Sequence, residues 1–345
     1  MDKNYIKGMN QDELRTLCAE SGESKFRAEQ LFEWMYRHGV LSFESMSNIK
    51  QSFREYLDKN YVLSTLELEK KSISKNDKSI KILFKTYDGY FIETVSMVDN
   101  DRHTVCISSQ VGCALDCDFC ATGKLGLKRN LVTGEIVDQL IFVRNEIKTP
   151  ITNVVFMGMG EPFHNYKNVL DAADIFHSHK GFNLASTRIT ISTVGLLPQI
   201  NQFIKEKRKY KLAISLNASN DKTRTEIMPI NKKWGIQEIV KSGEEYSKQK
   251  KRLIMFEYVL LKGINDSEED AHELANLLNG IPCKINLIPY NEISGQYQRP
   301  DESTIIKFSQ ILYNKKNKYI VLVRWSKGQD IDAGCGQLAG KSKIA

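Results

Sequence analysis

The sequence predicts an α/β fold, a partial (β/α)6 barrel preceded by a small helical module and a short antiparallel β extension. Three observations lead there. Residues 10–60 carry apolar side chains at helical spacing. Residues 65–98 alternate polar and apolar side chains between turn pairs. From residue 104 onward, short β-branched runs alternate with amphipathic stretches. Strand–helix alternation of that kind implies parallel strands joined by right-handed crossovers. Six such units suggest an open barrel rather than a complete eight-fold one. The implied divisions are 1–62 for the helical module, 63–100 for the β extension, 101–325 for the barrel and 326–345 for a C-terminal loop and tail.

Each element has a local reason. Asn10 or Asp12 can cap a first helix that runs to about Ser21. A second helix, Lys25–His38, places Phe26, Leu31, Phe32, Met35 and Tyr36 at helical spacing. The strands around Leu66–Glu69, Ile80–Phe84 and Tyr90–Val95 are separated by the turn pairs Asn76-Asp77 and Asp88-Gly89. Barrel strands are expected at Thr104–Ser108, Asn153–Met157, Arg188–Ser192, Leu212–Leu216, Leu253–Leu260 and Lys284–Ile288. The helices between them are Thr133–Ile147, Tyr166–Ser178, Leu197–Lys207, Ile236–Gln249 and Ser267–Leu278. Chemistry in such folds collects beyond the carboxyl ends of the strands. Polar or glycine-rich groups stand there repeatedly: Ser109–Cys113, Gly158-Met159-Gly160-Glu161, Ser192–Gly195, Ser215-Leu216-Asn217 and Tyr290-Asn291.

Composition excludes other classes. The 345 residues are 41% hydrophobic and include 15 Phe, 14 Tyr and 3 Trp, enough for a core and too many for a disordered chain. No run approaches the roughly 18 apolar residues of a membrane helix, and Met1-Asp2-Lys3-Asn4 opens no signal segment, so a cytoplasmic protein is expected. Seven cysteines without an export signal favour metal or redox chemistry over a disulfide scaffold. The net charge of +7 is uneven. Residues 1–100 hold 15 basic against 16 acidic side chains, and the remainder 34 against 26. Basic clusters recur at Lys205–Lys211, Lys232-Lys233, Lys248–Arg252 and Lys315-Lys316-Lys318. Each alone reads as a solvated face, but together they suit a polyanion such as RNA.

Three cysteines fall within eight residues as Cys113-x3-Cys117-x2-Cys120. Structural zinc usually takes four protein ligands, and no histidine lies in this segment. Three thiolates on one loop suit a [4Fe-4S] cluster with one iron left open. That iron can chelate the amino and carboxylate groups of S-adenosylmethionine, and an electron passed to the sulfonium then releases a 5′-deoxyadenosyl radical. Structural zinc and unliganded thiols are the alternatives.

The spacing at the head of a βα-repeat chain resembles the radical S-adenosylmethionine superfamily. The segments 106–123, Phe156–Pro162 and Gly328–Leu338 resemble the RlmN/Cfr family of RNA methyltransferases. Pro282–Asn291 and Lys25–Tyr36 are similar to the branch that methylates carbon 2 of adenosine in 23S rRNA and in tRNA; its sister activity, at carbon 8, is the alternative. The likeness spans residues 10–340.

The resemblance implies a mechanism. Cys335 accepts a methyl group from one cofactor molecule. The radical from a second removes a hydrogen from that S-methyl group, and the resulting carbon adds to adenine carbon 2. Loss of the carbon-2 proton and attack by Cys106 release the product and leave a Cys106–Cys335 disulfide. Glu93 matches the proposed general base; burial in its apolar strand would raise its pKa toward neutrality. The resemblance further implies cofactor contacts at Gly160, Glu161, Ser192, Ser215, Leu216, Asn217 and Asn291, with Glu161 meeting the cofactor ammonium. Asn217 stands where the family usually has His. Gly334 stands where it usually has Ala, which would loosen the loop before Cys335. The N-terminal helices and the basic barrel face are expected to hold a folded RNA, with Trp34, Tyr36 and Trp234 as stacking candidates more readily read as core. A flavodoxin-type electron donor, a monomeric state and no membrane contact complete the expectation. Cys18 and Cys283 read as core thiols.

Overall fold

The computed structural model describes residues 4–293, 295, 297–313 and 319–340. The basic cluster Lys315-Lys316-Lys318 lies outside the described residues.

One ten-stranded sheet runs through the molecule. Its strands are β1 (Leu66–Ile73), β2 (Ile80–Thr86), β3 (Phe91–Asp99), β4 (Arg102–Cys106), β5 (Asn153–Phe156), β6 (Ile189–Thr193), β7 (Lys211–Ser215), β8 (Ile254–Leu260), β9 (Cys283–Pro289) and β10 (Ile320–Val323). They lie side by side in chain order. β1 to β4 pair antiparallel; β4 to β10 pair parallel. β1 and β10 are the two ends of the sheet, so the barrel is open. The antiparallel extension and the barrel are one continuous sheet, because β3 pairs with β4, from Val95 opposite Cys106 to Asp99 opposite Arg102.

The barrel strands begin or end within two residues of their expected limits. The helices α4 (Thr133–Glu146), α5 (Tyr166–His177), α6 (Leu197–Lys205), α8 (Ile236–Lys250) and α9 (Glu268–Leu277) fall where the amphipathic spacing places them. Not anticipated were the short helix α7 (Asp221–Ile227), the helix α10 (Glu302–Leu312), the edge strand β10 and two small strand pairs, Asn4–Tyr5 with Tyr61–Val62 and Gln110–Val111 with Arg129–Asn130. In β10, Ile320-Val-Leu-Val follows the basic run, which hides its start; α10 has only Ile305, Phe308 and Leu312 fully buried.

Alternation sorts the strand side chains into two faces. Ile191, Leu212, Ile214, Phe256 and Ile285 join the core under the helices. Their neighbours Ser192, Ser215, Glu257 and Asn286 point the other way, into the lumen.

The N-terminal helices are α1 (Gln11–Glu20), α2 (Phe26–Phe32) and α3 (Gln51–Asn60). Asn10 caps α1: its side chain accepts from Asp12 and Glu13 N–H, and Glu13 accepts from the Asn10 N–H. The second expected helix stops being α-helical at Phe32 and continues as a π-turn over Glu33–His38. Buried contacts fasten this module to α4. Lys7 pairs with Asp138, which also accepts from Thr65, and Arg144 donates to the Tyr36 carbonyl. Tyr36 is fully buried and Cys18 and Cys283 are core thiols, while Trp34 and Trp234 pack partly buried against the core. Among the described residues no helix is long and apolar enough to cross a membrane.

Candidate active site

The cysteine loop lies beyond the carboxyl end of β4. Cys113, Cys117 and Cys120 share a small apolar shell with Leu115, Phe119, Met228, Val259 and Tyr290. Burial pushes the Cys113 thiol up to about 12 and the Cys117 thiol well above its ordinary value, and the three sulfurs interact electrostatically. The loop is tied down by Asp118 N–H to Ile227 O and Cys120 N–H to Cys117 O.

The C-terminal loop is stitched to this same loop. Ala121 N–H donates to Gly336 O at 2.8 Å, and Thr122 Oγ1 donates to Leu338 O at 2.6 Å. Asn291 Nδ2 donates to Cys335 O at 3.0 Å, and Gln337 Nε2 to Glu292 O. Cys335 keeps accessible surface. Protein nevertheless surrounds it, and burial pushes its thiol up to about 12, with the charges of Cys120, Cys106 and Glu257 adding to the rise. The two facts agree if the thiol faces an enclosed lumen. Cys106, on the inner face of β4, is half-buried and is likewise pushed up to about 12 by burial.

Gly334 does not loosen this loop. A Cβ there would stand 2.7 Å from Asn291 Cγ and 2.8 Å from Gln337 Oε1, so glycine lets the chain close onto Asn291. Asn291 is thereby occupied, since its Oδ1 also accepts from Gln329.

Glu93, 4% exposed, stands on β3. Its Oε2 accepts from Ala339 and Gly340 N–H at 2.7 and 3.0 Å, and its Oε1 lies 3.1 Å from Lys81 Nζ. Lys81 also donates to Asp332 O. The carboxylate therefore clasps the tail on the far side of Cys335. Removing it would strand those two N–H groups, costing about 1–3 kcal/mol for each that stays dry.

Glu161, 3% exposed, follows Gly160, which adopts φ +98° and has no room for a Cβ against Gln110. The Glu161 oxygens accept from Phe163 and Val194 N–H, and burial pushes its carboxyl up to about 7. Ser192 and Ser215 are half-buried on the lumen face. Leu216 and Asn217 turn away from the strand, both N–H groups donating to Glu257 O. Asn217 takes φ +57°, and its side chain accepts from Val259 N–H and contacts the Met228 sulfur. That side chain is spent on holding the turn.

Two residues of this site have no sequence signal. Arg224, fully buried, donates to the carbonyls of Val194, Ser215 and Leu216, bracing the ends of β6 and β7. Burial lowers its pKa to about 10, and Cys117 is the first charge that opposes that fall. Glu257 faces the lumen from β8, holds Asn286 Nδ2 at 2.8 Å, and is pushed up to about 7 by burial. One arginine in Lys-Thr-Arg-Thr and one glutamate in an apolar strand look like ordinary surface positions.

Two family models match the chain: the ribosomal RNA large subunit methyltransferase N-terminal domain over residues 5–63, and the radical SAM superfamily over residues 107–275. The dual-specificity RNA methyltransferase RlmN of Geotalea uraniireducens is 42% identical over 342 residues, covering 99% of this chain and 98% of that protein. The chain belongs to the RlmN family of radical SAM methyltransferases. RlmN 2 of Myxococcus xanthus is 43% identical over 338 residues, covering 95% of this chain and 88% of its own. The crystal structure of a radical SAM methyltransferase from Sphaerobacter thermophilus superposes with a TM-score of 0.94 at 40% identity, covering 98% of this chain and all of that one.

Radical SAM enzymes use a [4Fe-4S] cluster and S-adenosylmethionine, and the residues here fit both. The three thiols share one apolar shell, where bound iron would strip their protons, although among the described residues they do not stand grouped as a ready metal site. Arg224 is a buried cation near Cys117 with no directly paired carboxylate among the described residues, suited to a thiolate cluster of net negative charge. Glu161 is a buried carboxyl that forms no ion pair among the described residues, suited to the ammonium of the cofactor. Cys117→Ala should yield colourless protein lacking about four irons per chain; a full complement of iron would remove Cys117 from the ligand set.

Proposed function

We propose that this chain methylates carbon 2 of adenosine in 23S rRNA and in tRNA, with Cys335 as methyl carrier and Cys106 as the thiol that releases the product. When bound, the cluster and S-adenosylmethionine supply the methyl group and the radical that activates it. The observation that carries the reading is the stitching of the Cys335 loop onto the cysteine loop through Ala121 and Thr122. It keeps a thiol at the mouth of the barrel without using that thiol to hold anything.

In this reading the residues divide the work. Cys113, Cys117 and Cys120 hold the cluster; Gly160, Glu161, Ser192, Ser215, Leu216, Asn217 and Asn291 shape the cofactor seat. Cys335 presents the methyl carbon to the base. Once the adduct has given up its carbon-2 proton and its unpaired electron, which would return to the cluster, the Cys106 thiolate attacks the Cys335 sulfur; the sulfur–carbon electron pair goes to the exocyclic carbon, which takes up a proton to become the methyl group, and the two cysteines are left as a disulfide. Glu93 as proton acceptor must first let go of Ala339 and Gly340, which couples base action to opening of the tail. An electron donor outside the chain reduces the cluster and the disulfide between cycles. Mass spectrometry of RNA from a deletion strain tests the position: loss of 2-methyladenosine supports carbon 2, and loss of 8-methyladenosine supports the sister activity.

A further inference from the structure

The floor of the barrel carries charge that the proposed chemistry does not use. Arg102 opens β4, Arg188 immediately precedes β6, Lys211 opens β7 and Lys284 is the second residue of β9. All four stand at the amino ends of parallel strands, opposite the cysteine loop. Alternation puts them on the lumen face: Arg102 shares a face with Cys106, Arg188 with Ser192, Lys211 with Ser215 and Lys284 with Asn286. Lys211 feels the repulsion of Lys284, Arg102 and Arg188; Arg102 feels Arg188 and Arg324. Burial and this repulsion both lower the pKa of Lys211 and Arg102. Among the described residues none of the four forms an ion pair; Asp99, the one acid acting on Arg102, is paired with Lys327.

Like charges gathered from four strands, partly desolvated and unneutralised, cost stability unless an anion joins them. The Cys335 loop is tied down at the opposite mouth by Ala121, Thr122 and Asn291, and an approach from the floor leaves those contacts in place. Arg102 and Cys106 stand four residues apart on one face of β4, about 13 Å at about 3.3 Å per residue. A nucleotide drawn out of its stack would span that depth with its base near the thiols and its phosphates at the rim.

We propose that Arg102, Arg188, Lys211 and Lys284 form a seat for the RNA backbone phosphates flanking the target adenosine, which enters the lumen from the barrel floor. This deepens the proposed function and rests on it. The seat is sequence-independent, as phosphate contacts are; choice of base falls to groups deeper in the lumen.

The test compares parent, Arg102→Gln/Lys211→Gln and Lys211→Gln/Lys284→Gln as full-length, cluster-loaded enzymes on the same RNA across a salt series. Each double variant should raise the RNA KM about tenfold near physiological salt and flatten the log–log salt dependence by about 0.7 to 0.9 for each phosphate no longer neutralised. Methyl loading of Cys335 in the absence of RNA reports separately on folding and cofactor handling. Lys307→Gln, on the outer helix α10 and outside every basic cluster, serves as the charge control and leaves KM unchanged. Unaltered KM and salt slope in both double variants would overturn the proposal. So would protection of the parent by millimolar inorganic phosphate with no effect of the substitutions on RNA, which would mark a free-anion site. If the parent methylates no RNA at all, the proposed function fails rather than the seat.

Discussion

Cys335→Ala is expected to abolish RNA methylation while leaving iron content and S-adenosylmethionine binding at the parent level. The loop that carries Cys335 is held by groups other than its thiol: the carbonyls of Cys335, Gly336 and Leu338 accept from Asn291, Ala121 and Thr122, and Glu93 takes the N–H groups of Ala339 and Gly340. Truncation to the β-carbon therefore removes the carrier atom and little else. Carbon 2 of adenine is electron-poor and does not attack a methyl sulfonium as an ordinary nucleophile, so the proposed reaction depends on the carrier. The loss should exceed about a thousandfold, which corresponds to about 4 kcal/mol of transition-state stabilisation. Methyladenosine in RNA and iron per chain are the two measurements. Product near the parent level would end the carrier role.

The sequence made the barrel legible because each strand is short, β-branched and followed by an amphipathic helix, so local pattern and global fold agree. The edge strand Ile320–Val323 escaped because an edge needs no second buried face, and here lysines precede it. The fold gathers the three-cysteine loop in one apolar shell, and that loop was legible from its spacing. Other site residues were not, because their roles depend on contacts across the fold. Glu93 reads as a buried base in its strand, but the fold brings Lys81 and two tail N–H groups to its carboxylate. Asn291 reads as a cofactor contact, but Gly334 lets the tail close onto it. Arg224 and Glu257 are single charged residues among ordinary neighbours; only folding shows that one braces two strand ends and the other faces the lumen.

Cys106→Ala should convert the enzyme into one that reacts once and stays joined to its RNA. Cys106 sits at the end of β4 with its thiol in the lumen, near enough to Cys335 that ionising either thiol disfavours ionising the other. Burial holds that thiol near 12, so it rests protonated at neutral pH and becomes a nucleophile only when the assembled site takes its proton. In the proposed mechanism the adduct between the Cys335 methylene and adenine carbon 2 then has no thiolate to cleave it. An RNA–protein band that survives denaturing electrophoresis, at no more than one RNA per chain, is the expected product, with multiple turnover lost. The substitution removes one half-exposed sulfur and leaves the pairing of Cys106 with Val95 and Val155 in place, because those contacts are made by the backbone. A fold defect therefore does not explain an adduct. Normal turnover without an adduct would take Cys106 out of the mechanism. An adduct in Cys106→Ala that disappears in Cys106→Ala/Cys335→Ala would place the covalent bond on Cys335.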